Sequence, residues 1–141
     1  MNNRAFLFVL GLTFLTSCAE TKTFQCQKIY RIANEVARET KSLTENQSQK
    51  IDKKSWLLAA DKIESGAENM KKLEVNDPEL TKYKDSFARV YQDYADATRE
   101  IIQVFDTRDK KAARAAQEKV RKAGQLEQET GDSFNAYCKG Q

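Results

Sequence analysis

Three cysteines, Cys18, Cys26 and Cys138, carry the reactive chemistry of this 141-residue chain, and no histidine accompanies them. A thiol can accept a lipid, form a disulfide, bind a soft metal or act as a redox nucleophile. The lack of histidine removes Ser-His-Asp and Cys-His catalysis and zinc sites built on imidazole. It also removes histidine-ligated haem and the Glu-x-x-His motif of carboxylate-bridged di-iron bundles. The expectation is a protein that is not an enzyme, with no cofactor and no metal.

Cys18 is set apart by what precedes it. Arg4 leads into an apolar run, Ala5 to Leu15, shorter than the roughly 20 residues a spanning helix needs and suited to the hydrophobic stretch of a signal peptide. Leu15-Thr16-Ser17-Cys18 resembles the bacterial lipobox, an aliphatic residue and two small residues before the cysteine that is lipidated and left as the first residue after cleavage. Residues 1–17 then form a lipoprotein signal peptide, 18–23 a lipidated tether and 24–141 the folded domain. Each buried CH₂ of an acyl anchor contributes roughly 0.8 kcal/mol, so several chains hold firmly. An aspartate after the cysteine resembles an inner-membrane retention signal; Ala19 stands there instead, which permits outer-membrane delivery. The expected address is the exported side of a membrane, periplasmic or lumenal, with outer membrane, plasma membrane and thylakoid all open. The plainer alternative is an ordinary cleaved signal with an incidental cysteine.

The rest of the chain must position the remaining chemistry. A formal charge of +3, from 24 basic and 21 acidic residues, is no nucleic-acid footprint. Apolar residues recur every three or four positions, which predicts amphipathic helices over approximately 24–46, 50–74, 78–106 and 109–138. Their seams run through Ile29 and Val36, through Trp56, Ile63 and Met70, from Leu80 through Tyr91 to Phe105, and through Val120 and Phe134. Thr44 to Gln49 has no apolar residue and separates the first two helices, which argues against a single long helix and a three-helix arrangement. Asp77 is a fitting N-cap with Pro78 at the first helical position, and Thr107 or Asp109 caps the last helix. Short turns make sequential helices antiparallel. The fold class is therefore all-α: an up-down-up-down four-helix bundle.

This topology tests the cysteines. With Cys18 assigned to lipid, Cys26 near the start of the first helix and Cys138 near the end of the fourth remain as an even pair in an oxidising compartment. An up-down-up-down bundle brings those two ends together, so a Cys26–Cys138 disulfide is expected at the membrane-proximal end. The rivals are a redox pair, which usually shows Cys-x-x-Cys, and a thiolate metal site, which wants four ligands.

Three further groups have a functional and a plainer meaning. Tyr83, Phe87, Tyr91 and Tyr94 could line a ligand pocket, but their spacing is that of a core seam. Asp93, Asp96 and Glu100 could hold a hard cation, but Arg89 and Arg99 nearby favour ion pairs. Lys50, Lys53 and Lys54 at the start of the second helix and Arg108, Lys110, Lys111 and Arg114 at the start of the fourth share the end away from the lipid, with Trp56 close by. Cations at helix N-termini oppose the macrodipole, which suggests a tip that docks an acidic partner or an anionic surface. Asp52, Asp106 and Asp109 dilute the patch, so interspersed surface charge is the alternative.

Phe24-Gln25-Cys26-Gln27, Asn76-Asp77-Pro78-Glu79-Leu80, Ser86-Phe87 with Val90-Tyr91, and Asn135-Ala136-Tyr137-Cys138 together make the chain similar to a group of small cyanobacterial helical lipoproteins. The likeness implies the fold and the address and no activity. The expected partners are a membrane, through the lipid on Cys18, and a protein. The expected function is a non-enzymatic, membrane-tethered binding or accessory module of the envelope or thylakoid. The alternative is a bundle that holds an apolar small ligand between its helices. The lipid assignment predicts that membrane-extracted protein has an intact mass corresponding to residues 18–141 plus acyl groups, and that Cys18→Ala releases it from the membrane fraction. An unacylated mature mass would overturn it.

Overall fold

The structure, a computed structural model, describes residues 20–45 and 52–140. These form four helices and no strand: α1 (Lys22–Thr44), α2 (Lys53–Lys72), α3 (Pro78–Thr107) and α4 (Lys110–Lys139). Cys18, Lys50 and the signal segment 1–17 lie outside the described residues.

The caps explain the boundaries. The Asp77 side chain accepts from the amides of Glu79 and Leu80 ahead of Pro78, and Asp109 does the same for Lys111 and Ala112. The second helix begins at Lys53, later than the hydrophobic pattern suggests, because Asp52 is its N-cap and accepts from the amides of Lys54 and Ser55. It stops at Lys72, where Leu73 turns extended. The α3–α4 connection is tight because Arg108 adopts the left-handed conformation, φ 57°, which closes the helix end with a bond from its amide to the Val104 carbonyl.

Neighbouring helices run antiparallel. Lys62 of α2 pairs with Glu39 of α1 at 3.3 Å. Arg99 of α3 reaches back to Asp61 and Glu64 of α2 at 2.8 and 2.6 Å. Tyr94 of α3 donates to Glu127 of α4 at 2.8 Å. These α1–α2, α2–α3 and α3–α4 seams carry the packing, whereas α1 touches α4 only sparsely.

The sparse α1–α4 contact is concentrated at one end. Cys26 and Cys138, 112 residues apart in sequence, are joined by a disulfide with their Cα atoms 6.1 Å apart. One turn along, the Tyr30 ring lies 4.8 Å from that of Phe134, and the Tyr30 hydroxyl donates to the Asn135 side chain. Polar groups tie the α2–α3 turn into the same end. Gln25 is 4% exposed. Its amide nitrogen donates to the Glu20 carbonyl at 2.9 Å, and its oxygen accepts from the amides of Asn76 and Asp77 at 2.7 and 3.1 Å. The Tyr137 hydroxyl donates to Asp77 at 2.8 Å. Burial alone would push the Asp77 carboxyl up, but the bonds from Leu80, Tyr137 and Glu79 and the charge of Lys22 together hold it below the ordinary value.

Side-chain bulk follows the same polarity. Ile29, Met70, Leu80 and Val90 are the largest fully buried side chains, and Phe134 meets Tyr83 and Phe87 at ring-centre distances of 5.9 and 5.6 Å. Away from the bridge the buried residues are mostly small: Ala59, Ala60, Ala95, Ala97, Ala116 and Ala123, with Ile102.

Gly66 lets α1 and α2 approach: a Cβ there would lie 2.2 Å from Val36 Cγ2. Gly66→Ala would otherwise gain about 1 kcal/mol of helix propensity. Overpacking against a stiff β-branched side chain costs about 1–3 kcal/mol, so the expected net change is a loss of up to about 2 kcal/mol in urea unfolding. In a Val36→Ala background the same substitution should be neutral or stabilising.

Candidate functional site

Two regions stand out for what they leave unpaired: a groove between α1 and α4, and the tip opposite the bridge.

The groove follows from one-ended closure. Beyond the bridge the two helices leave a space of about 400 Å³, walled by Val36, Ala37 and Thr40 of α1, floored by Ile63, Tyr91 and Tyr94, and reached by Glu127 of α4. The aromatic stripe of α3 is thus divided. Tyr83 and Phe87 pack on Phe134, as a core seam should, while Tyr91 and Tyr94 face the groove as well. A Cβ on Gly124 would stand 3.3 Å from the Tyr94 hydroxyl, so the glycine gives that hydroxyl room on its way to Glu127. Burial, and the adjacent Glu127 carboxylate, push both hydroxyls well above the ordinary tyrosine value. The Thr40 hydroxyl oxygen is buried and has no hydrogen-bond partner among the described residues.

At the tip, an ion pair between Lys53 and Asp106 holds the start of α2 against the end of α3, beside the turn into α4. Lys53, Lys54, Arg108, Lys110, Lys111 and Arg114 are all exposed there. Lys53 has Asp106 as partner, whereas Arg108, Lys110, Lys111 and Arg114 have no ion-pair partner among the described residues. Asp109, one of the diluting carboxylates, is taken up as the α4 cap. No acidic residue stands in the first turn of α2 or α4 to offset the cations there. Trp56 is half-buried against Thr98, Ile101, Ile102 and Phe105 around a cavity of about 160 Å³. Its indole nitrogen is buried without a hydrogen-bond partner among the described residues.

Phe105, which the periodicity places in the α3 seam, is instead 49% exposed. With Ile101, Val104 and Ala113 it lines a cleft of about 420 Å³ between α3 and α4, with Arg108 and Gln117 at its edge. Its seam position runs past the level where a fourth helix would cover it, since α1 ends at Thr44. Leu57 and Leu58 on α2 are likewise exposed at 41% and 44%. Periodicity names the face a helix turns inward; it does not say whether a neighbour is long enough to cover it.

Of the three α3 carboxylates that could hold a cation, Asp96 and Glu100 are in ion pairs, and Asp93 has none among the described residues. Arg99 meets Asp96 at 3.8 Å in addition to Asp61 and Glu64, and Glu100 pairs with Lys119. Among the described residues no group of three His, Cys, Asp or Glu could hold a metal ion, and no helix is long and apolar enough to cross a membrane. Comparison with protein-family models, curated proteins and solved structures finds no match to this chain.

The two groove tyrosines make stability depend on alkaline pH. Their folded values are raised, so the stabilisation is complete below the unfolded value of about 10 and is lost as pH rises through the folded values. Urea unfolding between pH 9 and 11 should show falling stability, by at most about 1.4 kcal/mol per pH unit for each tyrosine. Tyr94→Phe should make that fall shallower; an unchanged slope would exclude Tyr94 as a source.

Proposed function

We propose that this chain is a non-enzymatic, membrane-tethered lipoprotein that docks an acidic, amphipathic helix of another envelope or thylakoid protein at its basic tip. The observation that carries the proposal is Phe105, 49% exposed on an apolar cleft whose edge is Arg108. Arg108, Lys110, Lys111 and Arg114, which follow Phe105 at the turn and the start of α4, have no ion-pair partner among the described residues. Large apolar side chains ringed by charge are how interfaces mark themselves on otherwise polar surfaces. A helix with one apolar face and one acidic face would fill the cleft and pair with those cations.

The tether rests on the resemblance of Leu15 to Cys18 to a lipobox and on the likeness to small cyanobacterial lipoproteins. An anchor at Cys18 would place the Cys26–Cys138 end next to the membrane. Phe24, 45% exposed near the start of α1 with the Lys28 ammonium 5.4 Å from its ring centre, suits an interfacial position there. A bundle with helices of 30 residues would then hold its tip roughly 40 Å from the bilayer if it stands upright.

A photoreactive phenylalanine analogue in place of Phe105, in cells, should yield one reproducible crosslinked protein. The same analogue in place of the exposed Lys72 should not, and Lys110→Glu with Lys111→Glu should abolish the product. Equal products from both positions, or none from position 105, would overturn the docking assignment.

A further inference from the structure

The groove between α1 and α4 presents an unusual charge. Glu127 is half-buried on its wall, accepts one hydrogen bond, from Tyr94, and has no ion-pair partner among the described residues. The cation on the rim, Lys41, is held by Glu45 at 3.0 Å on the exposed side of α1. A partly desolvated carboxylate is therefore left in an otherwise apolar, aromatic-floored space. Such a group is costly unless paired, and tyrosine faces attract cations as well. Thr40 lines the facing wall, and its hydroxyl oxygen is buried with no hydrogen-bond partner among the described residues. A volume of about 400 Å³ lies within the range of small-molecule sites.

We infer that this groove binds an amphiphilic organic cation, its ammonium on Glu127 between the tyrosine rings and Thr40, its apolar body along Val36, Ala37 and Ile63. A neutral apolar molecule would desolvate Glu127 further with no compensation, and an anion would be repelled. Tyr94 is a positioning residue: its hydroxyl holds one carboxylate oxygen and leaves the other for the ligand. The groove shares no lining residue with the tip clefts, so the site stands or falls independently of the docking proposal.

The test uses n-decylammonium, n-decanol and decanoate, well below micelle formation, with the disulfide-bonded protein in detergent-free buffer at pH 7. Calorimetry should give one-to-one binding of n-decylammonium at least about tenfold tighter than n-decanol, the size of one charge-assisted contact, and no binding of decanoate. Amide shifts should centre on Thr40 and Tyr94. Glu127→Gln should bring the ammonium down to the level of the alcohol, and Ala37→Trp, at an exposed position of α1, should fill the groove and block both. Three outcomes would each overturn the inference: equal affinity for the three probes, binding unaffected by either substitution, or no binding of n-decylammonium. Amide shifts centred on Phe105 would overturn it too, by moving the site to the tip.

Discussion

The fold is governed by where its circle of helices is closed. Three seams join helices that follow one another in the chain; the fourth, between α1 and α4, is made at one end only. There the Cys26–Cys138 bond, the tilted Tyr30–Phe134 ring contact and the Gln25 amide, which spans from Glu20 to the α2–α3 turn, lock the ends together. Cross-linking residues 112 apart stabilises by about 5 kcal/mol in the chain-entropy model, comparable to the whole net stability of many domains. The other features follow from this asymmetry. Bulky side chains fill the closed end, where four helices converge. Alanines, with Ile102, are buried in the rest, where α3 packs on α2 and on α4 and α1 draws apart from α4.

Divergence leaves surface uncovered in two ways. Between α1 and α4 it opens a groove whose floor is still part of the core, since Tyr91 is 5% exposed. At the far tip α3 and α4 continue past the end of α1, and apolar positions such as Phe105 face outward. Neither region adds to stability as efficiently as a closed bundle would. The cations at the α4 N-terminus add a cost of a few tenths of a kcal/mol each against the helix dipole. Asp109 recovers part of it by capping.

Much of the architecture was legible in the residues. Period and breakers sufficed for four helices, because long amphipathic segments are a strong signal. Asp77-Pro78 located the start of α3, since capping chemistry is local. The bridge was legible because two unrelated facts, the parity of the cysteines and the number of helices, required the same contact. The start of α2 was not, because a lysine-rich stretch looks equally helical on either side of Asp52. Gln25 gave no signal, as a buried glutamine differs from a surface one only in its partners. The tip cations were legible as a cluster, but not which of them would be neutralised: Lys53 finds Asp106 across a helix seam, a contact that no local pattern encodes. The opening of the groove was illegible for a related reason. Seam spacing places Tyr83, Phe87, Tyr91 and Tyr94 on one face of α3, and only the splay of α1 from α4 separates the first pair from the second.

The order of the seams also bears on how the chain reaches its native state. Helix pairs adjacent in sequence can meet after closing only short loops, so their association costs little entropy. Topologies rich in such local contacts fold quickly. The α1–α4 junction is the exception, because it joins the two ends of the domain and offers little packing to draw them together. Its sulfur–sulfur bond joins the two chain ends that the antiparallel order of the helices brings to one end of the domain.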